Sequence, residues 1–355
     1  MSASEPTSPQ VGPGELVPPT GPSEPTSPQV GLGEPAQPQA RPSESAPHHP
    51  GPDESASGHA VPDQPDQSGT GQAGPDELDT RQPRPGAFLR LLRSELRLIG
   101  GRRRNQAGVL VLASVPVLLA VALRVAGADQ GGGGGLITAV TSNGIFVALT
   151  ALSVEITLFL PLAVAVLSGD AIAGEANLGT LRYLLTVPVG RTRLLLVKYV
   201  ALAIGAVVGV LVVAGVGVLV GGALLGLGPT TLLSGSTISL ASALGRLAIV
   251  GVYLAAGLAG LAAVGLFVST LTEQPIAAMV TTTIVATAMW IADAIPQISW
   301  VHPWLLVHRW PAFADAFRDP VYWDGMRTGL AVDLAYAAIF LALAWARFGN
   351  RDVTS

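Results

Sequence analysis

Residues 199–225 read YVALAIGAVVGVLVVAGVGVLVGGALL, an apolar run without one Asp, Glu, Lys or Arg. A helix that crosses the hydrocarbon core of a bilayer needs about 20 such residues. Soluble cores rarely sustain an uncharged run of this length. Runs of the same Val, Leu, Ala and Gly composition lie on both sides of it. Six spans are expected, at about 107–125, 146–168, 199–225, 247–270, 276–295 and 328–346.

Ahead of the first span, residues 88–99 read FLRLLRSELRLI. Phe88, Leu91, Leu92, Leu96 and Ile99 recur at helical spacing, and Arg90, Arg93 and Arg97 fall mostly on the other face. This pattern describes a helix lying in the membrane interface, its arginines near anionic lipid, in preference to a cytoplasmic extension of the first span. Gly100 and Gly101 offer a hinge before the membrane.

Residues 1–85 differ in kind. They are rich in Pro, Gly, Ser, Glu and Gln, and the segment SEPTSPQVG occurs twice, at 4–12 and 23–31. Such a segment cannot bury enough apolar surface to offset ordering entropy, so a disordered tail is expected. The two copies have no apolar face to stack and read as a low-complexity duplication. Residues 1–80 hold twelve acidic residues against one basic residue, Arg41. Residues 81–355 hold nineteen basic and twelve acidic residues. The expected fold is an all-α integral membrane protein: six transmembrane helices, an amphipathic interfacial helix before the first, and a disordered acidic tail in front.

Orientation follows from the basic residues. With six spans, Arg81, Arg84, Arg90, Arg93, Arg97, Arg102, Arg103, Arg104, Arg182, Arg191, Arg193, Lys198, Arg347 and Arg351 share one side. Arg124, Arg246, Arg309, Arg318 and Arg327 share the other. Both termini, and the tail with them, are expected in the cytoplasm. Trp290, Trp300, Trp304, Trp310 and Trp323 crowd the connection between the fifth and sixth spans. Tryptophan favours the membrane–water interface, so this connection is expected at the outer leaflet. Pro296, Pro303, Pro311 and Pro320 break it into short pieces. Glycines 131–135 make a flexible outer loop.

Several chemistries are excluded or thinly supported. The chain has no cysteine, hence no disulfide, thiolate metal site or cysteine nucleophile. Its amino terminus lacks the basic and apolar regions of a signal peptide, so none is expected. No basic patch with interleaved aromatics points to nucleic acid. A P-loop needs a Gly-rich turn ending in Lys-Ser/Thr, but the only lysine, Lys198, follows Leu-Leu-Val and precedes Tyr. His302 and His308 are six apart, whereas ligands on one helix face are three or four apart, so no metal site is expected. Ionisable groups inside a span cost roughly 2.5–3.5 kcal/mol, which makes each a default functional candidate. Glu155 is the deepest; it either lines a pathway or pairs within the bundle, or it sits at the outer interface if the span begins near Leu152. Asp293 and Asp333 lie near outer span ends and read as interfacial.

Residues 169–198 read GDAIAGEANLGTLRYLLTVPVGRTRLLLVK, a stretch polar enough to leave the membrane yet striped with Leu178, Leu181, Leu184 and Leu185. A short amphipathic helix here would dock in a partner's groove, and Pro188 and Gly190 would end it. The stretch resembles the permeases of ABC-2-type transporters. The residues that carry the resemblance are Gly169-Asp170, Ala173-Gly174-Glu175, Gly179-Thr180-Leu181-Arg182, Leu184-Leu185, Pro188-Val189, Arg191, Arg193 and residues 194–198. Two further matches are Phe317-Arg318-Asp319-Pro320 with Trp323, and the ending Ala344-Trp345-Ala346-Arg347-Phe348 with Arg351-Asp352-Val353. Gly349 and Asn350 stand where the family commonly has another basic residue. The resemblance spans about residues 86–355 and leaves out the tail.

That resemblance implies a mechanism. Two permease chains form the pathway in a bacterial plasma membrane, each paired with an ABC ATPase subunit that binds ATP and Mg. This chain holds no cofactor of its own and is not the enzyme. Asp170, Glu175, Gly179, Thr180 and Arg182 are the expected coupling residues, and export is the expected direction. An ion- or proton-coupled carrier and a membrane scaffold are the alternatives.

Overall fold

The computed structural model describes residues 86–129, 143–179, 190–232 and 235–349. The acidic tail, the glycine loop at 131–135 and the terminal Arg351-Asp352-Val353 lie outside the described residues. The helices are α1 (Ala87–Gly101), α2 (Arg103–Asp129), α3 (Gly144–Glu155), α4 (Phe159–Asn177), α5 (Arg191–Leu225), α6 (Leu240–Leu271), α7 (Pro275–Asp293) and α8 (Asp324–Gly349). Six of them are long and apolar enough to cross a membrane: α2, α4, α5, α6, α7 and α8. The chain is an all-α integral membrane protein with six spans. A small hairpin, β1 (Thr230–Thr231) with β2 (Thr237–Ile238), joins α5 to α6.

The second passage is not the single helix expected at 146–168. It is α3 followed by α4, with a break at residues 156–158. Pro161 gives the reason. It has no N–H to donate to the carbonyl four residues back, and its ring crowds that carbonyl, so a helix restarts around it. Both pieces still run along α5 in one line. A Cβ added at Gly217 would lie 2.6 Å from Ala148 Cα, one at Gly209 3.3 Å from Leu160, and one at Gly205 3.0 Å from Leu167. Gly217 and Gly221 of α5 meet Ala148 and Gly144 of α3 backbone to backbone. Small residues four apart on both helices allow this approach.

α6 is the central helix. Leu254, Leu258, Leu261 and Leu266 are fully buried, and the helix packs against α4, α5, α7 and α8. Ser239 caps it, its Oγ accepting from the Ser242 amide. Trp310 fits against α6 only because residue 257 is glycine: a Cβ there would lie 2.4 Å from its Nε1. Trp310 is therefore core, 1% exposed, and not an interfacial tryptophan. It meets Trp290 edge-on, with ring centroids 6.2 Å apart. Trp300, Trp304 and Trp323 are exposed, as an interfacial role requires.

The bundle has two distinct ends. At one end, Arg191 donates to the Gly349 carbonyl at 2.7 Å and Trp345 Nε1 to Thr192 Oγ1 at 2.9 Å, tying the start of α5 to the end of α8. At the other, Asn143 caps α3 and donates to the Gly228 carbonyl at 3.1 Å, while Tyr253 donates to the Arg309 carbonyl at 2.5 Å. The connection between α7 and α8 consists of three 3-10 turns, Pro296–Ile298, His302–Trp304 and Trp310–Phe317.

Three further expectations need correction. α5 begins at Arg191 and not near residue 199, because buried pairing of Lys198 lets the helix continue through its basic residues. Residues 169–177 are no separate loop helix; they are the last turns of α4, packed into the bundle with Gly169 against Met279. Asp333 is 2% exposed and not interfacial. Its backbone lies against Gly260 of α6.

Candidate coupling site

α1 is amphipathic. Phe88, Leu91, Leu92, Leu96 and Ile99 are half-buried, as their spacing requires, while Arg90, Arg93 and Arg97 are exposed. Glu95 lies on the half-buried face, between Leu92 and Leu96. A carboxylate on that face needs a partner, and α5 supplies it. Lys198, with its side chain 4% exposed, donates from Nζ to Glu95 Oε1 at 3.0 Å and to Glu175 Oε1 at 2.5 Å. One ammonium thus joins α1, α4 and α5.

A second ionic node sits beside it. The hinge between α1 and α2 is Arg102, an extended residue after Gly101, and not the glycine pair itself. Asn105 donates to the Ile99 carbonyl at 2.8 Å and Gln106 to the Gly100 carbonyl at 3.0 Å, which fixes the corner. The corner aims Arg102 and Arg104 at the same carboxylate oxygen of Asp170, and both form ion pairs with it. Leu98, Ile99, Leu167, Ala171 and Leu202 complete the walls of a crevice between the two nodes. Apolar walls strengthen the charge pairs by keeping water away.

Below Asp170, Ser269 of α6 holds the α4 backbone. Its Oγ donates to the Gly169 carbonyl at 3.0 Å and accepts from the amides of Ile172 at 3.1 Å and Ala173 at 2.9 Å. A single buried hydroxyl therefore satisfies three backbone groups in the turn that carries Asp170. Gly179 closes α4 in the left-handed region, at φ 68°, and its amide donates to the Ala176 carbonyl at 3.0 Å. A left-handed glycine is the common way to stop a helix sharply.

The expected coupling residues are distributed unevenly in this geometry. Asp170 and Glu175 are in the two nodes, and Gly179 is the stop that follows. Thr180 and Arg182 lie outside the described residues. Glu95, Arg102, Arg104, Lys198 and Ser269 were not among the expected site residues. Glu95 had a legible signal, an acid at the helical spacing of an apolar stripe. Ser269 had none, since nothing local marks a serine that bonds to another helix.

Glu155 belongs to neither node. It is fully buried at the end of α3, where the second passage breaks, and neither carboxylate oxygen has a partner among the described residues. Its side chain therefore faces the protein interior, without an ion pair among the described residues. At the tryptophan-rich end, the connection folds His302 and His308 towards each other, with ring centroids 5.7 Å apart, and His308 Nδ1 lies 2.5 Å from Asp293 Oδ1. The turns between α7 and α8, not a shared helix face, bring the two rings together.

Among the described residues, ion pairs from Glu95, Arg104, Asp170, Glu175 and Lys198 hold α1, α2, α4 and α5 together at one end of the bundle. A family model described as ABC-2 family transporter protein matches residues 102–289, from the Arg102 corner to the last turns of α7. No curated protein matches the chain.

Proposed function

The chain belongs to the ABC-2 family of transporter proteins, and from that premise we propose that it is the permease subunit of an ATP-driven exporter. A separate nucleotide-binding subunit binds ATP and Mg and supplies the hydrolysis. A second permease chain, identical or related, completes the pathway. The nodes at Asp170 and at Glu175–Lys198 face the cytoplasm of a bacterial plasma membrane, as do both termini. The ATPase grips the segment after Gly179, including Thr180 and Arg182. Its closure moves α4 and α5, which Lys198 couples to α1. Residues 1–85 form a tail outside the transmembrane domain at 86–355.

The observation that carries this reading is the Lys198 junction. A buried cation shared by two acids on two other helices ties those helices together, because separating either pair pulls opposite charges apart in a poorly hydrated crevice. The test is to purify the chain with its native neighbours and look for an ATPase bearing Walker motifs. Glu175→Gln and Arg182→Ala are then expected to lower ATP hydrolysis in the assembled complex. An intact complex with an unchanged rate would remove the coupling role.

The burial of Glu155 and Asp333 favours a second reading, an ion-coupled carrier. The two readings separate in sealed vesicles. A protonophore leaves transport intact for an ATP-driven exporter and collapses it for a carrier.

A further inference from the structure

Asp293, His302 and His308 stand together at the end of the bundle away from the coupling nodes. One carboxylate oxygen and one imidazole nitrogen from each histidine all lie within 4.8 Å of one another, and all three residues are half-buried. We propose that this cluster is a binding site for a zinc-class divalent cation, which clasps the end of α7 to the connection leading into α8.

Four observations carry the proposal. First, the donor set is two imidazoles and one carboxylate, which suits zinc and leaves a fourth position for water. Donor atoms bound to one zinc ion at about 2.0–2.2 Å sit about 3.3–3.5 Å apart, between the 2.5 Å that separates His308 Nδ1 from Asp293 Oδ1 and the 4.8 Å within which all three donors lie, so small side-chain rotations reach it. Second, His302 Nε2 lies 3.1 Å from the Ile295 carbonyl. With Nε2–H donating there, Nδ1 keeps its lone pair for the metal. Metal-ligating histidines are oriented in this way, by their other ring nitrogen. Third, Asp293 is the last residue of α7. A carboxylate at the negative end of a helix dipole is disfavoured unless positive charge meets it. A divalent cation beside it supplies that charge. Fourth, the three ligands come from a helix end and two turns nine and six residues further along. A cation would therefore close a loop that carries the exposed Trp300 and Trp304.

The test uses the full chain in nanodiscs, purified without a polyhistidine tag and stripped by a chelator. The chain has three other histidines, His48, His49 and His59, all in the tail. They are replaced by Gln in every sample so that the tail does not bind the probe. Cobalt(II) is titrated and displaced by zinc. The expected result is one visible-absorbing cobalt per chain, with zinc raising the apparent melting temperature. His302→Gln and His308→Gln are expected to weaken binding at least about 10- to 100-fold, the range seen when even a supporting shell is disturbed. Asp293→Asn is the third variant. Its amide replaces the carboxylate without changing size, so a folding defect is not expected. Absence of cobalt absorption in the parent protein overturns the proposal without reference to any variant. Binding that is unchanged in the His302 and His308 variants overturns it too.

Discussion

Lys198 on α5 donates to Glu175 in the last turn of α4 across 2.5 Å, and the same ammonium reaches Glu95 on α1 at 3.0 Å. It is the only lysine among twenty basic residues. Arginine presents a rigid planar fork, whereas lysine is a compact charge with three rotatable donors. A point where two carboxylates from different helices converge suits the second.

Replacing Lys198 with Met is expected to destabilise the bundle by up to about 3–5 kcal/mol, since two mostly buried acids lose the ammonium they share. Lys198→Arg keeps the charge but not the compact shape, and is expected to fall between. Adding Glu95→Gln and Glu175→Gln to Lys198→Met should recover much of the loss. Apparent melting temperature in nanodiscs measures all of these. Equal losses in the single and the triple variant would show that the carboxylates are not the cause.

Ser269→Ala removes the hydroxyl that serves Gly169, Ile172 and Ala173. The three backbone groups lie within the helix α4, so the expected cost is that of losing a hydrogen-bonding side chain, about 0.5–1.5 kcal/mol. The expected local effect is faster amide exchange at Ile172 and Ala173, read by hydrogen–deuterium exchange, with the α3–α5 contact unchanged. Ser269→Thr keeps the hydroxyl and should restore protection at both amides.

Much of this architecture was legible because lipid leaves few options. An uncharged run such as 199–225 becomes a helix, since only a helix satisfies its backbone within one segment. The amphipathic stripe of α1 was equally plain from Phe88, Leu91, Leu92, Leu96 and Ile99. The break after Glu155 was written in Pro161, but hydropathy averages over such a signal. The polar stretch at 169–177 misled for a physical reason. Its charged residues do not leave the bundle, because Asp170 and Glu175 find cations in the α1–α2 hinge, on α2 and on α5 that are remote in sequence. Ser269 and the meeting of Asp293, His302 and His308 are tertiary facts, with no local pattern to announce them.

Arg102 and Arg104 share one oxygen of Asp170, and their side chains are 38% and 47% exposed. Each alone should be worth little, about 0.2–1 kcal/mol, because water screens it and the other arginine remains. Asp170 itself is only 12% exposed. Losing both arginines leaves a mostly buried carboxylate without a cation, so the double variant should lose clearly more than the sum of the singles. A double-mutant cycle on thermal stability reads that excess, and strict additivity would mean that the two pairs act independently.

The contact between α3 and α5 gives the sharpest stability test. Gly217 faces Ala148 so closely that an added Cβ would lie 2.6 Å from its Cα, and Gly221 faces Gly144 Cα at 2.8 Å. The obstacle is backbone, which no rotamer change relieves. Gly217→Ala is therefore expected to push the two helices apart and cost about 1–3 kcal/mol, the range for overpacking, despite alanine's better helix propensity. Gly215 is two residues earlier in the same helix and has open space around it. There the same substitution should be neutral or stabilising by up to about 1 kcal/mol, because glycine pays more backbone entropy than alanine in a helix. Opposite signs at two positions of one helix separate packing from propensity. Matching signs for Gly215→Ala and Gly217→Ala in the same melting assay would mean that α3 does not seat on α5 through its small residues.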